Sequence, residues 1–95
     1  MKKFIIERTL PINSELSFPE LVEISKKSND VISRLGTPYH WNQTIVCRKK
    51  LYCIHIADDA STILTHSEKS GFPADSINEV ITIIDPTTAH LKPEE

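Results

Sequence analysis

Six segments in the order strand, helix, strand, strand, helix, strand predict an α+β domain of the ferredoxin-like βαββαβ type. Two further observations agree with that order. The chain is 95 residues long, and its two glycines, Gly36 and Gly71, stand where the two helical patterns end. In this layout an antiparallel sheet carries both helices on one face. The length is near the lower bound for a self-sufficient core, so a single domain is expected over residues 1–88, with 89–95 as a C-terminal tail.

Residues 2–10 alternate as a strand, with Phe4, Ile6 and Leu10 on one face and Ile5 on the other. PINSELS, with Pro11 and Asn13, reads as a loop. The following helix has a full set of start and stop signals. Ser17 stands three residues before Glu20 in capping-box spacing, and Pro19 fits the first turn. Leu21, Ile24, Val31, Ile32 and Leu35 recur at helical spacing, Ser28 lies on the same stripe, and Gly36 and Pro38 end the run. YHWNQTIVC and LYCIHIA are strand-like. A three-residue loop, Arg48-Lys49-Lys50, sets Ile45 opposite Cys53, Gln43 opposite His55 and Trp41 opposite Ala57; a two-residue loop shifts every pair by one.

Asp58-Asp59 supplies the cap of a shorter helix over 59–70, whose narrow face holds Ala60, Ile63, Leu64 and Ser67. In SGFP, Gly71 can enter the left-handed region, Phe72 can fold back on the last turn, and Pro73 prevents the helix from resuming. The last strand is expected over 77–84, ended by Asp85-Pro86. A sheet with helices on one face should show polar residues on the other. Here Tyr52, Ile54 and Ile56 oppose Leu51, Cys53 and Ala57, and Ile81 and Ile83 oppose Val80 and Ile84. Apolar residues on both faces predict a homodimer packed through the open sheet faces.

A formal charge of −2 offers no basic face for nucleic acid. The apolar run Phe4-Ile5-Ile6 is too short for a signal core or a membrane span, so the chain reads as cytoplasmic, with Cys47 and Cys53 as buried free thiols. Only two glycines and no GxxxxGK or GxGxxG exclude a phosphate-binding loop, and nothing resembles a nucleophile elbow. The histidines, at 40, 55, 66 and 90, form no HExxH or HxH pattern. His66 sits beside the apolar stripe of the second helix, and its imidazole suits nickel, copper or zinc. His55 faces away from Ile54 and Ile56 on an interior strand, where a neutral, hydrogen-bonded histidine is the ordinary reading. His40 either lines a cleft beside Trp41 or edges the sheet. Asp85 is a turn initiator that also offers an oxygen ligand.

From FIIERTLP to IDPTTA the chain resembles a family of small bacterial ferredoxin-like domains described as nickel-binding-protein-like. The carriers are Glu7-Arg8, Leu10-Pro11, Trp41 leading the second strand, LYCIHIADD, the helix with His66, GFPA and IDPTT. Members commonly have Glu-His on the second helix, where this chain has Thr65-His66. Many also have a His or a Ser-Tyr pair shortly after the tryptophan, where this chain has Asn42 to Ile45. The resemblance implies a dimer that binds Ni2+ or another divalent transition metal, with His66 as first ligand and His40, His55 and Asp85 behind it. It is not evidence of catalysis. The alternative, by fold analogy, is a dimeric α/β-barrel-type enzyme (oxygenase, isomerase or decarboxylase) or a small-ligand binder, with Trp41, Tyr52, His55 and Phe72 lining a pocket between sheet and helices.

Overall fold

The computed structural model describes residues 1–10 and 15–93; the first four residues of the expected PINSELS loop and the last two of the expected tail lie outside them. The chain forms β1 (Lys2–Thr9), α1 (Phe18–Arg34), β2 (Tyr39–Val46), β3 (Lys50–Ala57), α2 (Ala60–Ser70) and β4 (Ser76–Glu79), followed by a short 3-10 turn, Pro86–His90. The four strands make one antiparallel sheet in the order β2-β3-β1-β4. This is a small α+β fold consistent with the ferredoxin-like arrangement.

Both helices form where their caps dictate. The Ser17 hydroxyl accepts from the Glu20 amide, and the Glu20 carboxylate accepts from the Ser17 amide in return. On α2 the Asp59 carboxylate accepts from the Thr62 amide, and Gly71, at φ 77°, closes the helix in the left-handed region. The C-terminal end of α1 packs through Ile32 and the cap residue Leu35 on a core that holds Ile63 of α2 and Phe4, Ile6, Cys53 and Ala57 of the sheet; Val31 of the same helix is also buried. Ile6 and Ile63 are fully buried, each stabilising the fold by roughly 1.5–3 kcal/mol.

The register of β2 differs from expectation in two ways. The Cys47 N–H donates to the Lys50 carbonyl over 2.8 Å, so Arg48 and Lys49 alone make the turn. Lys50 belongs to β3, where its ammonium lies 2.7 Å from the Glu7 carboxylate. Further along, Trp41 pairs with His55 and Gln43 with Ile54, leaving Asn42 as the extra residue of a bulge. As a result Trp41 and Thr44, three apart, both lie in the helix-facing rows, opposite His55 and Cys53, and the Trp41 indole N–H donates to the Thr44 hydroxyl over 2.9 Å.

The last strand is shorter than expected. Glu79 already pairs with Phe4, and β1 begins at Lys2, so little partner strand remains beyond that point. Among the described residues the last backbone bond from this segment to the sheet runs from the Val80 N–H to the Lys3 carbonyl. Beyond it Ile81, Ile83, Ile84 and Leu91 are exposed. This arm contributes to a radius of gyration of 15.1 Å, against about 12 Å for a compact domain of this length. The thiols also differ from each other: Cys53 is buried and Cys47 exposed.

Candidate functional site: a cavity with a buried arginine

The row of β1 that faces the helices reads Phe4, Ile6, Arg8, and all three are buried. A guanidinium therefore occupies a core position, 2% exposed. Its Nη1 donates to the Ser67 hydroxyl at 3.0 Å and to the Phe72 and Pro73 carbonyls at 3.2 and 3.0 Å, while Nε donates to the Cys53 sulfur at 3.4 Å. The Phe72 ring centroid lies 5.9 Å from Cζ. Among the described residues Nη2 is buried without a partner and no ion pair includes Arg8.

Beside Arg8 stands a cluster of three rings. Tyr39 stacks on His66 with centroids 5.3 Å apart, and His55 meets both edge-on, 5.2 Å from Tyr39 and 5.0 Å from His66. The Tyr39 hydroxyl hydrogen-bonds His55 Nδ1. The Ser28 hydroxyl hydrogen-bonds His66 Nε2 across 3.1 Å, tying α1 to α2. Among the described residues His66 Nδ1 has no partner. Burial, His66 and the Arg8 charge push the His55 imidazole down to about 3. Burial and then Arg8 push His66 down to about 4. Burial also raises the Tyr39 phenol above its ordinary value. At neutral pH both imidazoles are uncharged, and Arg8 carries the formal charge of the cluster.

Arg8, Ser28, His55 and His66 border a cavity of about 500 Å³, within the range of small-molecule sites. It exists because the N-terminal half of α1 does not close on the sheet: Leu21 and Ile24 stay half-buried and line the space instead. Leu10, Val46 and Leu51 complete the apolar wall, with Trp41 and Phe72 as aromatic members.

The structure thus brings four of the sequence candidates together, His55, His66, Trp41 and Phe72. His66 lies within the buried face of α2 rather than beside it, while Leu64 is exposed. His40 pairs with Ile56 and Tyr52 with Ile45, which places both on the opposite sheet face. Asp85 is exposed and caps the 3-10 turn, accepting from the Thr87 amide at 2.8 Å. Sequence reasoning passed over Arg8 and Tyr39. For Arg8 the signal was present, since it falls in phase with Phe4, Ile6 and Leu10 on the apolar side of β1.

The cluster does not suit a divalent cation. Among the described residues no three His, Cys, Asp or Glu side chains are placed to hold a metal ion, and the two imidazoles stand in the field of an unneutralised guanidinium.

The depressed histidines make stability depend on pH. Above the ordinary value of 6.5 neither the folded nor the unfolded chain protonates them, and their contribution is flat. Below it the unfolded chain takes up protons that the folded chain refuses, until about 4 for His66 and about 3 for His55. Each costs on the order of 1.4 kcal/mol per pH unit in that window. Urea midpoints should therefore fall as the pH drops from 6.5 toward about 5, and His66→Gln should fall less steeply. A wild-type midpoint that stays level across this window contradicts the assignment.

Comparison with known proteins agrees with this architecture. The family model described as nickel responsive protein SCO4226-like matches residues 4–80. The crystal structure of SCO4226 from Streptomyces coelicolor A3(2) is similar at TM-score 0.73 and 18% identity, covering 86% of this chain and 99% of that one; at that identity the likeness concerns the fold. No curated protein matches. With the family match spanning both helices and all four strands, the chain belongs to the family of nickel responsive, SCO4226-like proteins.

Proposed function

We propose that the chain is a homodimeric binding protein whose ligand, a small organic molecule, occupies the cavity between sheet and helices. The observation that carries this reading is the cavity itself: about 500 Å³ of apolar-walled space bordered by a buried arginine and two neutral imidazoles. An apolar pocket with a few convergent polar groups is the usual form of a small-molecule site. Ser28 and His66 are hydrogen-bonded at the cavity wall. Burial and Arg8 hold that imidazole down to about 4, however, and among the described residues no partner at Nδ1 orients it as a base, so binding is favoured over catalysis. Trp41 is the single tryptophan and borders the cavity, which makes its fluorescence a direct reporter. Titration with phenylalkyl ligands, charged or neutral, should change Trp41 emission, and Ser25→Leu, which fills the space beside Ile24, should weaken the response at least about tenfold. Silence from every ligand in the wild type removes the reading.

Two apolar surfaces support the dimer. On the face away from the helices Ile5, Tyr52 and Ile56 are half-buried and Ile54 nearly covered, with Ile45 50% exposed. The arm beyond Val80 adds Ile81 at 85% exposure and Ile84 at 72%. Contiguous apolar surface of this kind calls for cover, and a second copy offers a face of the same shape. Light scattering should give twice the 10.8 kDa chain mass, and Ile56→Lys should yield the monomer. A wild-type monomer at micromolar concentration counts against the dimer.

The family description raises a second reading, nickel binding. The buried cluster does not suit that ion, so donors outside the cavity are required. His40, exposed on the face where a second copy would pack, is the best placed of the sequence candidates. Calorimetric titration with nickel should lose its signal in His40→Ala and keep it in His66→Ala; loss in His66→Ala alone returns the site to the cavity.

A further inference from the structure

We infer that the ligand of this cavity is an organic carboxylate with an apolar body, recognised by Arg8. This deepens the cavity-binding reading and rests on it. A guanidinium removed from water requires hydrogen bonds for its five N–H groups and a compensating charge. The chain supplies the first in part. Two carbonyls and a hydroxyl receive Nη1, and a sulfur receives Nε. Since Ser67 and Phe72 flank the end of α2, the negative pole of that helix also lies nearby. These are dipoles rather than an anion. Glu7, next in sequence, lies on the opposite sheet face and holds Lys50. Among the described residues no other carboxylate is paired with Arg8, and Nη2 is left unused.

The surroundings define the rest of the ligand. The two histidines that line the cavity with Arg8, His55 and His66, are uncharged at neutral pH, so they present no second cation and no competing anion. Arginine's planar fork matches a carboxylate in two-point geometry. The remaining wall is apolar and aromatic, with Leu21, Ile24, Trp41 and Phe72. A ring or short chain fits that wall, whereas a free inorganic anion leaves it unfilled. Phe72, on the segment after the Gly71 cap, packs over the guanidinium, and both residues line the cavity.

The test compares 4-phenylbutyrate with 4-phenyl-1-butanol, ligands of nearly the same shape that differ in charge, by calorimetry and Trp41 fluorescence at pH 7. The wild type should bind the carboxylate at least about tenfold more tightly than the alcohol. Arg8→Met should abolish that preference while retaining the alcohol. The wild-type comparison stands by itself if Arg8→Met fails to fold. Equal affinity for both ligands overturns the carboxylate assignment and leaves the cavity reading intact. Absence of binding by both removes the two together.

Discussion

A positive charge in the core-facing row of a central strand sets the terms for everything packed around it. Arg8 lies between β3, through Cys53, and the end of α2, through Ser67 and the two carbonyls that follow Gly71. Those carbonyls can turn toward it because Gly71 takes φ 77° and releases the chain from the helix at that point. The cap first reads as a way to stop a helix. In the fold it also aims two backbone oxygens at a cation whose other acceptor on that side is the Ser67 hydroxyl.

The same charge governs the ring cluster. His55 and His66 are neutral because they are buried and because a guanidinium stands beside them. Neutral imidazoles can stack, accept and donate within an apolar setting, as they do with Tyr39 and Ser28. Charged imidazoles next to Arg8 would repel it and each other. The arrangement favours recognition of an organic molecule over coordination of a dication, although the family description names nickel.

Around this centre the fold leaves two kinds of unfilled apolar surface. One is internal, where α1 packs only through its C-terminal half. The other is external, on the open sheet face and along the arm past Val80. In a domain of this size a wholly closed core is hard to build, and both surfaces are where binding partners would add stability.

The element order, both helix caps and the stop at Gly71 were legible in the residues, because capping and helical periodicity are local properties read within a few positions. The apolar character of both sheet faces was equally plain. Strand register was not. A one-residue difference at Arg48-Lys49 and the bulge at Asn42 depend on cross-strand bonds that no spacing announces. The length of β4 depended on how far β1 extends beside it. Arg8 was in phase with its apolar neighbours, yet only packing could show that its charge stays inside, since a strand edge would have let it turn to water. The sequence alone determined which segments are helices and strands and where they stop. The tertiary structure decided which of the histidines meet, and that they meet beside an arginine, because that proximity joins residues distant in the chain through long-range contacts.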